Sequence, residues 1–292
     1  MVTTVESSSS KVRPPRVASR EEWLKLRLLH LAREKAHTRE RDELAKQRRE
    51  LPWVKVDKNY VFDTPAGRRT LGELFDGRSQ LVVYHFMFGP EWREGCPSCS
   101  FVCDHLDGAL PHLAARDVTL VAVSRAPMAK IAAFKQRMGW KFAWVSSHGS
   151  EFNYDFNVSF TPQEKAAGPV YYNYKTQQFP SDEGPGASFF YKDPASGEIF
   201  HTYSTFGRGL EPLVTSYMIL DLVPKGRDED DLPFPMAWVR HHDRYGVASA
   251  AAFADPDRPY WPPVEIPDSA PSPAVSSTSC GCGCGSGEKG AS

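Results

Sequence analysis

Residues 81–103 read LVVYHFMFGPEWREGCPSCSFVC, and their reading decides the fold. Residues 81–88 form an unbroken run of β-branched, aliphatic and aromatic side chains with one histidine, His85, inside it. Such a run predicts a buried strand. Residues 89–95 predict a loop, and Cys96-Pro97-Ser98-Cys99 predicts the opening of a helix. Pro97 suits the first helical position, because the amide it lacks would have no partner there. Cys96 then stands at the helix mouth, where free amides and the helix dipole favour a thiolate. Cys99, three residues on, shares its face and lies within disulfide reach. The stretch predicts strand, loop and helix, with a dithiol at the junction.

Working outward, residues 118–123 predict a second buried strand and residues 142–145 a third. The dithiol helix is expected to run to about Ala115. A further helix opens at Ala126-Pro127, faces Ile131, Phe134 and Met138 inward, and stops at Gly139. This alternation implies βαβ units in an α/β fold, with residues 81–88 and 118–123 as parallel neighbours in a sheet of four or five strands. Residues 188–192 and 198–203 flank Asp193-Pro194-Ala195-Ser196-Gly197 as a hairpin, and residues 210–222 predict a last helix. Residues 147–186 are aromatic-rich and show no clear period. Upstream, Ser19-Arg20-Glu21-Glu22 reads as a capping box opening a long helix that ends at Pro52. Trp23, Leu24, Leu28 and Leu31 make its apolar face. Its second half interleaves both charge signs, which fits a solvated helix better than a nucleic-acid patch.

The 292 residues are 41% hydrophobic, enough for a full core, and carry 35 basic against 36 acidic side chains. That balance points to neither nucleic acid nor an acidic substrate. No run approaches the ~20 apolar residues of a membrane span. The polar, Ser-rich start lacks the apolar core of a signal peptide. The expected compartment is the cytoplasm, where a Cys-x-x-Cys is more often catalytic or metal-binding than structural. The six cysteines fall in two groups: Cys96, Cys99 and Cys103, and, in a Gly/Ser tail, Cys280, Cys282 and Cys284. A zinc site on the first group lacks a fourth local ligand. The tail offers soft ligands for Cu(I) or Zn, or a mobile dithiol, or has no role. No cofactor is expected.

The stretches VYHFMFGPEWREGCPSCSF, LPHLAARDVTLVAVSRAP, MGWKFAWVSS, EFNYDF, FHTYSTFGRGL and DLPFPMAWVRHHD carry a resemblance across roughly residues 19–245. Through them the chain resembles an uncharacterised bacterial thioredoxin-like family labelled "predicted dithiol–disulfide oxidoreductase". The resemblance implies an α/β thioredoxin-like fold, a central mixed sheet flanked by helices, with peroxiredoxin-like N-terminal additions. The organisation expected is a disordered 1–18, a helix over 19–52, and a thioredoxin-like domain over 53–225. An irregular extension over 226–268 packs on that domain, with Trp238, Tyr260 and Trp261 as anchors, and a flexible tail covers 269–292. Thioredoxins place a cis-proline just before the first hairpin strand. Here that position falls near Gly186-Ala187-Ser188, with Pro185 slightly earlier. The peroxiredoxin Pro-x-x-x-Thr/Ser-x-x-Cys signature is absent, since Gly89 and Arg93 precede Cys96 at seven and three residues.

The chemistry expected is thiol–disulfide exchange by an enzyme. Cys96 attacks as thiolate and Cys99 resolves the mixed disulfide. Cys103 is a core residue or an alternative resolving thiol. His85 sits near where thioredoxins keep a buried carboxylate, and is either a core histidine or the proton acceptor for Cys99. Glu91 and Glu94 would oppose a thiolate at Cys96, and Arg93 is expected to counter them. A peroxiredoxin-like thiol peroxidase is the alternative, and a non-enzymatic metal- or redox-sensing protein using the tail is the second. The expected partners are a disulfide-containing protein or a small thiol or peroxide substrate, and a thiol reductant, with no nucleic acid and no membrane.

Overall fold

The computed structural model describes residues 16–245. The expected disorder over 1–18 and the tail over 269–292 lie outside that range wholly or in large part. So do residues 246–268 of the extension, with Tyr260 and Trp261, and Cys280, Cys282 and Cys284.

The chain opens with α1 (Arg20–Arg49), capped by Ser19, whose Oγ accepts from the Glu22 amide at 3.2 Å. None of its residues is buried, and Trp23, Leu24 and Leu28 stand exposed. The expected apolar face therefore does not enter the core. Three short strands follow, β1 (Val54–Lys55), β2 (Val61–Thr64) and β3 (Gly67–Thr70), then the short α2 (Leu71–Leu74). The central unit is β4 (Gln80–His85), α3 (Pro97–Cys103), α4 (Leu110–Ala114), β5 (Val118–Ser124), α5 (Met128–Met138) and β6 (Ala143–Ser146). Next come α6 (Phe152–Asp155), α7 (Pro162–Ala167) and a small hairpin, β7 (Val170–Tyr172) with β8 (Lys175–Gln177). Then β9 (Gly186–Lys192) and β10 (Ile199–Phe206) pair antiparallel, and α8 (Thr215–Leu220) closes the domain.

The main sheet runs β1-β10-β9-β4-β5-β6-β2-β3. β4, β5 and β6 are parallel neighbours, with His85 opposite Val123, and β9 lies antiparallel on the other side of β4, with Val83 opposite Ser188. This is a thioredoxin-like fold, with β4 at its centre. Among the described residues the sheet has eight strands where four or five were expected. Val54, Val56, Tyr60, Val61 and Phe62 suggest one or two short strands from the sequence, and β1 and β2 stand there; β3, Gly67–Thr70, has no apolar residue to signal it.

Two expected helices are broken, each at a proline. The dithiol helix ends at Cys103 and resumes as α4 after a 3₁₀ turn. Pro111 has no amide for the carbonyl one turn back, and Asp107 turns its carboxylate onto the amides of Lys141 and Phe142 at 2.9–3.0 Å. Pro212 likewise leaves residues 207–213 as a 3₁₀ turn ahead of α8.

Strand alternation gives the sheet two buried faces. On one, Tyr84, Leu120, Ala122 and Trp144 meet α3, α5 and α8, and an aromatic cluster fills the space, with Phe86 and Trp144 centroids 4.4 Å apart. On the other, Leu81, Val83, Val121 and Val145 meet Phe62, Phe75 and Phe152. Side chains this fully buried contribute about 1.5–3 kcal/mol each through area alone. The dithiol belongs to the first face.

Candidate functional site

Backbone bonds close the loop between β4 and α3 tightly. The Phe86 amide donates to Val123 O at 2.9 Å, and the Cys96 amide returns to Met87 O at 3.0 Å. Gly95 makes that return possible. A Cβ there would stand 2.6 Å from the Phe86 ring. The next residue, Cys96, is the N-cap of α3, with Pro97 as its first helical residue. Sequence and structure agree locally here, for the reason that Pro97 needs no amide partner.

Both thiols are free and 1% exposed. They differ in acidity, however. The Cys99 thiol donates to Cys96, and the amides of Cys99 and Ser98 face the same sulfur. Together these outweigh burial and hold the Cys96 thiol below its ordinary range. Cys99 is driven well above it, first by burial and then by its bond to Cys96. Two groups work the other way at Cys99. The Met87 amide donates to its sulfur at 3.4 Å, and the Tyr84 hydroxyl faces it. Met87 thus brackets the dithiol, its carbonyl holding Cys96 and its amide holding Cys99.

Tyr84 is the residue that the sequence reading missed. Its hydroxyl is fully buried, has no hydrogen-bond partner in the thiol form, and has Cys99 as its polar neighbour. Burial, then the nearby cysteines, push its own ionisation well up, so it keeps its proton and can donate it. A phenol two residues after Val82 on a core strand reads as packing, and no sequence signal singled it out.

His85 is placed elsewhere. It lies on the opposite face of β4, its ring 5.7 and 5.9 Å from those of Phe152 and Phe156, and its Nε2 is 2.8 Å from Ser188 Oγ. Ser188 continues to Ser204, and Ser204 to His201. Burial pushes the imidazole down to about 3, so it is neutral. The expectation that His85 serves Cys99 fails, because adjacent strand residues point to opposite sides.

Arg93 is exposed and does not line the space above Cys96. The work expected of it falls to arginines distant in sequence. Glu94 pairs with Arg137 of α5 at 2.8 Å and with Arg244. Burial raises its pKa, but Arg244 and Arg137 outweigh that and hold it ionised. Beside it, His241 donates through Nε2 to the Gly95 carbonyl at 2.8 Å and accepts at Nδ1 from Arg137 at 3.2 Å. Burial keeps it neutral, down to about 4. Residues 240–244 thereby clamp the loop that carries Cys96. Cys103 is fully enclosed one turn beyond Cys99, and burial pushes its thiol well up. Among the described residues no cluster of three or more His, Cys, Asp or Glu could hold a metal.

Cys96, Cys99 and Tyr84 form the floor of a cavity of about 490 Å³. Pro185, which immediately precedes β9, lines it too. The strand begins two residues earlier than the sequence implied, which brings this proline to the dithiol. Among the described residues no helix is long and apolar enough to cross a membrane.

Residues 12–245 match the family described as "Bacterial protein of unknown function (DUF899)". The chain belongs to this family. The match bears out the resemblance to an uncharacterised bacterial family read from the motifs. No curated protein matches the sequence. Among solved structures, a Xylella fastidiosa PrxQ mutant is similar at 13% identity and TM-score 0.37, over 57% of this chain and 94% of that one. The Xanthomonas campestris bacterioferritin comigratory protein gives 14% and 0.37, over 56% and 94%. Peroxidoxin BcpB from Mycobacterium tuberculosis gives 12% and 0.34, over 56% and 94%. Likenesses this distant say nothing about reaction.

Proposed function

We propose that this member of the family is a thiol–disulfide oxidoreductase. One observation carries the reading: two free thiols stand together at the start of α3, Cys96 as its N-cap and Cys99 one turn in with the Met87 amide on its sulfur at 3.4 Å, an arrangement that favours thiolate at Cys96 and thiol at Cys99. Cys96 attacks one sulfur of a substrate disulfide, and the other sulfur leaves as a thiolate. Cys99 then gives up its proton and attacks Cys96 Sγ, releasing the second thiol and leaving a Cys96–Cys99 disulfide. The charge that develops on Cys99 in this step meets the Tyr84 hydroxyl and the Met87 amide. Those two donors lower the barrier to ionising a buried thiol. A thiol reductant returns the pair to the dithiol. Cys103, enclosed and high in pKa, serves the core in this scheme.

The peroxidase alternative would use the same Cys96 thiolate, as a sulfenic acid resolved by Cys99. It finds less support, because the arginine expected near the thiolate, Arg93, faces solvent. Cys99→Ser should trap a mixed disulfide on Cys96, visible by intact mass, and Cys96→Ser should form none. If Cys99 alkylates faster than Cys96 in the reduced protein, the two roles must be exchanged.

A further inference from the structure

The cavity above the dithiol has walls and a rim of different character. Apolar side chains make the walls, with Val102 of α3, Leu210 and Val214 before α8, and Phe234 and Met236 of the C-terminal segment. Arg208, Glu211, Arg227, Glu229 and Asp230 make the rim; the first four satisfy one another and their neighbours, and Asp230 adds a further carboxylate. Glu211 takes Arg208 at 2.8 Å and Arg227 at 3.1 Å. Arg227 also holds Asp221 at 2.8 Å and lies over the Tyr217 ring at 4.0 Å. Glu229 accepts from the Tyr217 hydroxyl, the Met236 amide and Trp238 Nε1 at 2.6–3.0 Å. Through those three bonds Glu229 straps residues 229–238 over the dithiol.

The consequence is a reactive sulfur at the bottom of a pocket. Exchange needs the attacking sulfur in line with the S–S bond, so the substrate disulfide must enter the cavity. A disulfide within a folded protein brings two chain segments with it, and a 1% exposed Cys96 cannot reach it. The volume of about 490 Å³ lies within the ~300–1,000 Å³ common for small-molecule sites. A carboxylated substrate would lose its water in a lining with no spare cation, because Arg208 and Arg227 are already held by Glu211 and Asp221 while Asp230 adds a further carboxylate, and burying an unpaired charge is costly.

We infer that the cavity admits a small, uncharged, largely apolar organic disulfide and excludes both protein disulfides and carboxylated ones. This rests on the exchange reading above and names its substrate class. The overall step moves two electrons from the Cys96–Cys99 dithiol to the substrate. The S–S bond of the substrate breaks, an S–S bond forms between Cys96 and Cys99, and the two thiol protons end on the two product thiols. An external dithiol completes the cycle.

The test follows oxidation of the reduced full-length protein by dipropyl disulfide, by 3,3′-dithiodipropionate and by insulin. Each rate is divided by the rate of the same disulfide with dithiothreitol, which removes intrinsic reactivity. Dipropyl disulfide should be preferred on the order of 10-fold or more over the dicarboxylate, and over insulin by more. Met236→Lys should narrow that preference or reverse it toward the dicarboxylate. Met236→Leu, which conserves volume, should keep it and so separate lining charge from folding. Equal normalised rates would overturn the pocket assignment and leave the exchange chemistry standing. Failure of all three to oxidise the protein would overturn the exchange reading and this assignment with it.

Discussion

Tyr84 and His85 are neighbours in the chain, both buried in β4 among aromatic rings, and they differ in what their polar atoms meet. Tyr84 turns to the face of α3, where its hydroxyl finds the Cys99 sulfur. His85 turns to the face of α6, where Ser188, Ser204 and His201 form a closed chain of hydrogen bonds. The Tyr84 hydroxyl is left open toward a reacting atom, while His85 is tied into structure through Nε2 and its Nδ1, also without a partner, lies on the face away from the dithiol. Burial alone therefore does not mark a functional polar group. The informative feature is a polar atom left without a partner beside a sulfur.

The comparison breaks most sharply at Tyr84. Tyr84→Phe removes one donor to a developing thiolate, a bond of about 1.5–3 kcal/mol when the acceptor is charged. Release of the mixed disulfide should slow on the order of 10- to 100-fold, while its formation at Cys96 stays near wild type. Rapid-quench mass analysis separates the two steps. Equal slowing of both would mean that the phenol acts on Cys96 or on the loop.

A second prediction sharpens the polarisation of the thiols. The alkylation rate of Cys96 should rise with pH through a midpoint below the ~8.5 of a free thiol. In Cys99→Ala the midpoint should move up, because the largest stabiliser of the Cys96 thiolate is the Cys99 thiol itself. An unchanged midpoint would assign the shift to the amides of Cys99 and Ser98 and the Ser98 hydroxyl.

On the other face, His85→Ala should leave the exchange rate within about twofold of wild type and cost stability on the order of 2–4 kcal/mol through the cavity it creates. A rate loss comparable to that of Tyr84→Phe would undo the distinction between the faces. The smallest expected effect is on acid stability. His85 is neutral in the fold, pushed down to about 3, against ~6.5 in the unfolded chain. Its contribution is complete above pH ~6.5. It declines as pH falls toward 3, because the unfolded chain takes up a proton that the fold refuses. His241 adds the same sign between ~6.5 and about 4. Stability measured across that window should fall less steeply in His85→Ala than in wild type.

The sequence by itself placed a strand, a loop and a helix with Cys96 and Cys99 at its start, because those features rest on local rules: an apolar run, a proline at the first helical turn, and a three-residue spacing. It also set β4 beside β5, since a βαβ unit leaves few other arrangements. Tertiary structure alone decided which side of β4 met α3. With apolar neighbours on both faces, the period of two gave no hint that Tyr84 rather than His85 would stand behind Cys99. It alone supplied Arg137, Arg244 and His241 to the Cys96 loop, contacts spanning 43 to 150 residues of chain. And it alone folded residues 229–238 over the dithiol. A cavity is a property of surfaces distant in sequence brought within a few ångströms, and no local pattern encodes it.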